Sequence, residues 1–105
     1  MGLEFAIDEL YATGWSALDS TDCDYLADGR CYPRPARVQR EFAENGHQLT
    51  IRRVQLFDCS RAEWTGPDGE PAGAVVGQQD AEAAVYALAQ LRRMLAAAPV
   101  AAVTA

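Results

Sequence analysis

Three cysteines and the lone histidine, Cys23, Cys31, His47 and Cys59, are the residues of this chain best able to hold a transition metal, and a Cys3His set suits zinc. Seven, fifteen and eleven residues separate them in turn. No close Cys-x-x-Cys pair supplies half of a site, so the spacing favours thiols buried as small hydrophobes and a histidine facing solvent near a helix end. Hard cations have a second candidate in Asp19, Asp22, Asp24 and Asp28. A calcium loop starting at Asp22 wants an oxygen donor at position 26 and glycine at 27, and finds Leu26 and Ala27. Turn-forming and helix-capping aspartates explain the cluster without a metal, and no cofactor is expected.

Arginine offers the best candidate for binding. Arg30, Arg34, Arg37 and Arg40 recur every three or four residues and form an anion-binding edge if they line up, joined by Arg52 and Arg53 from a following strand. The planar guanidinium suits phosphate and carboxylate through paired hydrogen bonds. The competing use of these arginines is internal ion pairing with Glu41, Glu44 and the acidic N-terminal part, which the charge distribution favours. Among the aromatic residues, Trp15, Tyr25, Tyr32 and Trp64 invite stacking on bases or peptides. Core packing is their commoner role, and Trp15 and Tyr32, which flank an irregular arm, are the pair expected to be exposed. Catalysis has little to build on: one histidine, no lysine, no glycine-rich phosphate loop after a strand, and no ordered Ser, His and Asp set. The sequence therefore points away from an enzyme.

With 105 residues, half of them hydrophobic and 23% charged, the chain has the length and composition of one globular domain. Its net charge of −6 argues against indiscriminate binding to nucleic acid or anionic membrane. Residues 1–29 hold seven acids and no arginine, whereas residues 30–61 hold seven arginines against Glu41, Glu44 and Asp58. An acidic N-terminal part and a basic middle are expected to neutralise each other in the fold. The odd cysteine count and the lack of a basic, then apolar, N-terminal run imply reduced thiols and a cytoplasmic location. No window approaches a membrane span.

These side chains need elements to position them. Leu3, Ile7, Leu10 and Tyr11 share a helical face, which predicts an amphipathic helix over 3–12 that stops at Gly14. Residues 16–35 have no sustained period. The Asp28-Gly29 pair predicts a two-residue turn between short arms DYL and RCY, placing Leu26 opposite Cys31 and leaving Cys23 out of register with it. Pro33 and Pro35 then end the strand. PARVQREFAENG predicts a helix with proline in its first turn, Val38 and Phe42 inward, Asn45-Gly46 at the exit, and pairs Arg37/Glu41 and Arg40/Glu44 on its exposed side.

Three strands follow. Leu49 and Ile51 have one parity while Val54 and Leu56 have the other, so a bulge is expected at Arg52-Arg53 to return both pairs to the core. A second strand covers Ser60 to Thr65 with Ala62 and Trp64 on one face, GPDGEP is a turn, and Ala72 to Gly77 forms the third strand. A last helix opens at Asp80, carries the stripe Ala81, Ala84, Val85, Leu88, Leu91 and Leu95, places Arg92 and Arg93 in its last turns, and ends at Pro99.

In its order of helix, three strands and helix, and most closely in its ending VVGQQDAEAAVYALAQL, the stretch 35–96 resembles the double-stranded-RNA-binding domain. That resemblance implies a three-stranded antiparallel sheet with two helices on one face. In the family a lysine cluster at the start of the last helix reaches phosphates. Here those positions are Gln78, Gln79, Asp80 and Glu82, and the link between the first two strands is little more than Phe57-Asp58, so no RNA-contacting residue carries over. The chain is accordingly expected to be α+β, ordered α, hairpin, α, β, β, β, α. One domain spans 1–97, with an N-terminal helix and arm to residue 34, and 98–105 form a tail. Its expected role is a non-catalytic module whose open sheet face or helix surfaces engage another protein or a second copy. The alternative is a binder of RNA or an anionic ligand through the arginine edge. The binding candidates are Arg34, Arg37, Arg40, Arg52, Arg53, Trp15 and Tyr32.

Overall fold

The computed structural model describes residues 2–16 and 21–97, so Asp19 of the aspartate cluster, Pro99 and the expected tail 98–105 lie outside the described residues. Helix α1 (Leu3–Ala12) leads to a hairpin of β1 (Cys23–Tyr25) and β2 (Cys31–Pro33) and then to α2 (Pro35–Glu44). Three strands follow, β3 (Gln48–Val54), β4 (Cys59–Thr65) and β5 (Pro71–Gly77), before α3 (Asp80–Ala97) closes the order. The three strands pair antiparallel in the order β3-β4-β5, and the protein is of the α+β class. Among the described residues no helix is long and apolar enough to cross a membrane.

Strand alternation decides which face is covered. Ser60, Ala62 and Trp64 of β4 point inward, and Leu49 and Ile51 of β3 stand opposite Trp64 and Ala62. Helices α2 and α3 pack on this face, and α1 packs against α3. The last helix is thus central, which explains why its buried surface is broader than the expected stripe. Ala83, Ala87 and Ala89 are buried along with Ala84, Val85, Leu88 and Leu91, whereas Ala81 is only half-buried and Leu95 is exposed. The alanines let three neighbours approach closely, and each large side chain withdrawn from water contributes about 1.5–3 kcal/mol.

Both ends of α2 follow from local chemistry. Pro35 takes the first helical position, where its missing N–H costs nothing. At the exit the His47 amide donates to the Phe42 carbonyl (2.9 Å) and the Gly46 amide to the Ala43 carbonyl (3.0 Å). This crossed pair of bonds is a Schellman motif, and its usual apolar contact is present as the His47 ring set edge-on to Phe42, 6.4 Å between centroids.

The hairpin departs from its expected register. Cys23 faces Pro33, Asp24 faces Tyr32 and Tyr25 faces Cys31, one residue off the predicted pairing. The loop holds three residues rather than two: the Gly29 amide bonds the Leu26 carbonyl (3.0 Å), the Leu26 amide bonds the Arg30 carbonyl (2.8 Å), and Gly29 has a positive φ of 93°. This is a type I turn followed by a left-handed residue that glycine adopts without strain. The same loop recurs between β4 and β5, where the Gly69 amide bonds the Gly66 carbonyl and the Gly66 amide bonds the Glu70 carbonyl. In each loop the aspartate accepts the amide two residues on, Asp28 from Arg30 and Asp68 from Glu70, both at 3.0 Å.

Asp28 gives the hairpin a pH dependence. The Arg30 amide, then the Arg30 side chain, holds its carboxyl below the ordinary aspartate value despite opposing desolvation. A depressed folded-state pKa contributes stability that is present above the unfolded pKa and lost as pH falls through the folded value. Protection of the Leu26 and Gly29 amides, measured against their intrinsic exchange rates, should therefore fall as pH drops below the ordinary aspartate range. Asp28→Asn should remove that acid response; an unchanged exchange profile in the variant would refute the assignment.

The expected bulge at Arg52-Arg53 is absent: β3 pairs with β4 without interruption from Gln48 to Val54. The sheet's register irregularity falls instead between Trp64 and Thr65 opposite β5. No bulge is needed, because Arg53 occupies the helix-facing side at the end of the sheet and reaches the Gln78 carbonyl (2.6 Å). The apolar residues that follow do not return to the core. Leu56 and Phe57 form a short 3-10 turn (Gln55–Phe57) and are 84% and 73% exposed.

Helix α3 also runs past the expected cationic ending, with no basic residue in its last turn. Arg92 and Arg93 look sideways to α1 instead. Arg92 Nε donates to Thr13 Oγ1 (2.8 Å), and Arg93 pairs with Glu9 (3.0 Å).

Candidate interaction surface

The six arginines of the expected edge are each engaged by a carboxylate. Arg30 pairs with Asp8 and Asp28, Arg34 with Asp24 (3.0 Å), Arg40 with Asp22 (3.1 Å), Arg52 with Glu63 (3.1 Å), and Arg53 with Asp58. Arg37 pairs with Glu41 (3.1 Å), but this pair is not on an exposed face as expected, since the Arg37 side chain is only 12% exposed. Its guanidinium also donates to the Thr21 carbonyl (3.0 Å) and the Cys23 Sγ (3.1 Å), and lies 5.7 Å from the Trp15 ring centroid. Arg37 thereby ties the irregular arm to α2. The expected Arg40/Glu44 pair is replaced by Arg40 with Asp22, because the β1 end lies closer to hand than the helix's own next turn.

The edge does not extend onto the sheet. Arg52 is on the face away from the helices, where Glu63 Oε1 receives both Arg52 Nε and Arg61 Nε (3.4 Å for the second). Arg53 turns to the start of α3, bridging Asp58, the Ser60 hydroxyl and the Gln78 carbonyl. Of the aromatic pair expected to be exposed, Trp15 is 5% exposed, sandwiched between Tyr11 and Arg37, and Tyr32 is half-buried against the core. The exposed arm aromatic is Tyr25, at the end of β1.

Among the described residues no three His, Cys, Asp or Glu side chains gather as a metal ligand set. Cys23 and Cys31 lie in the hairpin, His47 Nδ1 is 3.0 Å from the Thr65 carbonyl, and Cys59 starts β4. All three cysteines are free thiols. Burial pushes the Cys23 thiol above its ordinary pKa, with Arg37 pulling less strongly the other way.

A surface with no signature among the charged or aromatic motifs lies at β5. The sheet order leaves one side of β3 and one side of β5 without a strand. On β3, α2 closes in and Gln39 Nε2 donates to the Leu49 carbonyl (3.2 Å), while Arg52 and Arg53 add charge. Natural edges are commonly blunted in these ways. Strand β5 begins with Pro71 beside the register irregularity, and α3 packs on its inner face, but PAGAVVG contains no charged residue. Its end opens into a shallow groove of about 610 Å³, where Phe57, Val76 and Tyr86 supply the apolar walls and Asp58 and Glu82 the acids. Val76 and Phe57 are both exposed there.

The start of α3 is fixed tightly beneath this groove. The Ser60 hydroxyl, fully buried, donates to Asp80 Oδ1 (2.6 Å), and the Gln78 amide donates to Glu82 Oε1 (3.0 Å). Both acids occupy the first turn, where the helix dipole favours negative charge. Parity was the signal available in the sequence: once Leu56 is not forced inward by a bulge, it and Phe57 fall outside the core beside an uncharged strand. Comparison with protein-family models, with curated proteins and with solved structures returned no match.

Proposed function

We propose that the protein is a non-catalytic interaction module, working in a reducing cytoplasm, that engages another protein through β5 and the groove at its end. The observation that carries this reading is an uncharged sheet edge continuous with exposed Phe57 and Val76. The three free thiols support the compartment. The resemblance of residues 35–96 to the double-stranded-RNA-binding domain enters this reading only as an order of elements. It carries no RNA contact, because the start of α3 presents Asp80 and Glu82.

Affinity capture with the intact chain and with Phe57→Ser tests the reading. A partner retained by the first and lost from the second is the expected result, and equal capture by both would remove the groove from consideration. The competing RNA or anionic-ligand reading draws on Arg30, Arg34, Arg37, Arg40, Arg52 and Arg53, and all six are occupied by carboxylates. Titration of a structured RNA duplex at low salt should accordingly show no binding. Binding that weakens steeply with added salt would reverse the choice.

A further inference from the structure

Charge brackets the open edge. The strand Pro71–Gly77 is uncharged, Asp68 and Glu70 precede it in the turn, and Asp80 and Glu82 follow it in α3. Asp58 stands beside its exit, paired with Arg53. Eight of the nine arginines are committed to ion pairs, and among the described residues Asp68 and Glu70 are in none of them.

A second copy fits this edge poorly. In an antiparallel pairing the turn acids Asp68 and Glu70 of each copy approach the end of the other copy's β5, where Asp58 and Asp80 already stand. In a parallel pairing equivalent acids lie side by side. Both arrangements bring like charges together around the ends of the strand with no added cation, which opposes them.

Resting on the interaction reading above, we infer that β5 accepts an extended segment of another protein as a fourth strand, and that this segment is small or apolar in its middle and basic at both ends. Main-chain hydrogen bonds along the edge supply affinity, as in other strand additions. The groove of Phe57, Val76 and Tyr86 receives one apolar side chain near the end of β5. Seven residues at about 3.3 Å each span about 23 Å, which sets the separation of the two basic ends.

Three peptides titrated into the intact, isotope-labelled chain test this. The first has a valine–threonine centre as long as β5 with two arginines at each end, the second replaces those arginines by glutamates, and the third is the first with N-methylated centre amides. The arginine-ended peptide should shift the amide resonances of residues 72–77 and weaken with added salt. The glutamate-ended peptide should bind at least about tenfold more weakly, and the N-methylated one should not bind. Val76→Lys, at an exposed position that keeps the fold, should weaken the first peptide. Equal binding of the two end charges would overturn the charge requirement, and shifts confined to α2 would overturn the location. If no peptide binds while a captured partner still depends on Phe57, strand addition is wrong and the module reading survives. A concentration-dependent dimer with shifts on β5 would make a second copy the occupant and overturn the inference.

Discussion

Phe42→Ala should lower the stability of the protein by about 3–5 kcal/mol, read as a drop in the urea midpoint at unchanged slope. Phe42 is fully buried on α2 and is the residue through which that helix grips the sheet. Its ring lies 5.4 Å from that of Trp64 on β4 and meets His47 edge-on. Truncation leaves a void between two layers that hydrogen-bonded strands and a capped helix cannot collapse to fill. Domains of this size are stable by about 5–15 kcal/mol, so the loss is a large share of the whole. Phe57→Ala is the control: that ring is exposed, and its removal should change stability by no more than about 0.5 kcal/mol. Similar costs at the two positions would mean that the core is not where it has been placed.

The second large effect comes from adding atoms. A Cβ at Gly73 would lie 2.3, 2.7 and 2.9 Å from Cζ2, Cε2 and Cη2 of Trp64, which cross directly over the β5 backbone. The indole cannot retreat, because Phe42 backs it from the other side. Gly73→Ala should therefore destabilise by about 1–3 kcal/mol or more through overpacking. Its cost should shrink when combined with Trp64→Leu, and strict additivity of the two substitutions would show that they do not meet. The outcome also bears on the proposed binding edge, since displacing β5 would weaken any strand added to it.

Periodicity made the helices legible, because a face of Leu3, Ile7 and Leu10 or of Val38 and Phe42 has no good alternative to a helix against a core. The strands and their order were equally readable from alternation and from GPDGEP. Register was not. Asp28-Gly29 is compatible with a two-residue turn and with the last two positions of a three-residue loop, and the difference of one residue moves Cys31 from opposite Leu26 to opposite Tyr25. The candidate site was obscured for a related reason. Reading Val54 and Leu56 as core residues demanded a bulge, and the sheet instead ends there, with Arg53 satisfying the start of α3 and the apolar turn left outside. The arginines were visible as a pattern, but a pattern of cations does not reveal that their partners, Asp8, Asp22 and Asp24, lie up to 22 residues away in sequence.

The contact between α1 and α3 has a kinetic side. Thr13 and Arg92 meet across 79 residues of chain, so the first helix finds its main neighbour in the last one. Contacts this distant in sequence form late, after the entropy of closing the intervening loop has been met. During synthesis the apolar face of Ile7 and Leu10 is complete long before α3 leaves the ribosome to cover it. The packing of α1 is therefore completed only once α3 is available to cover it.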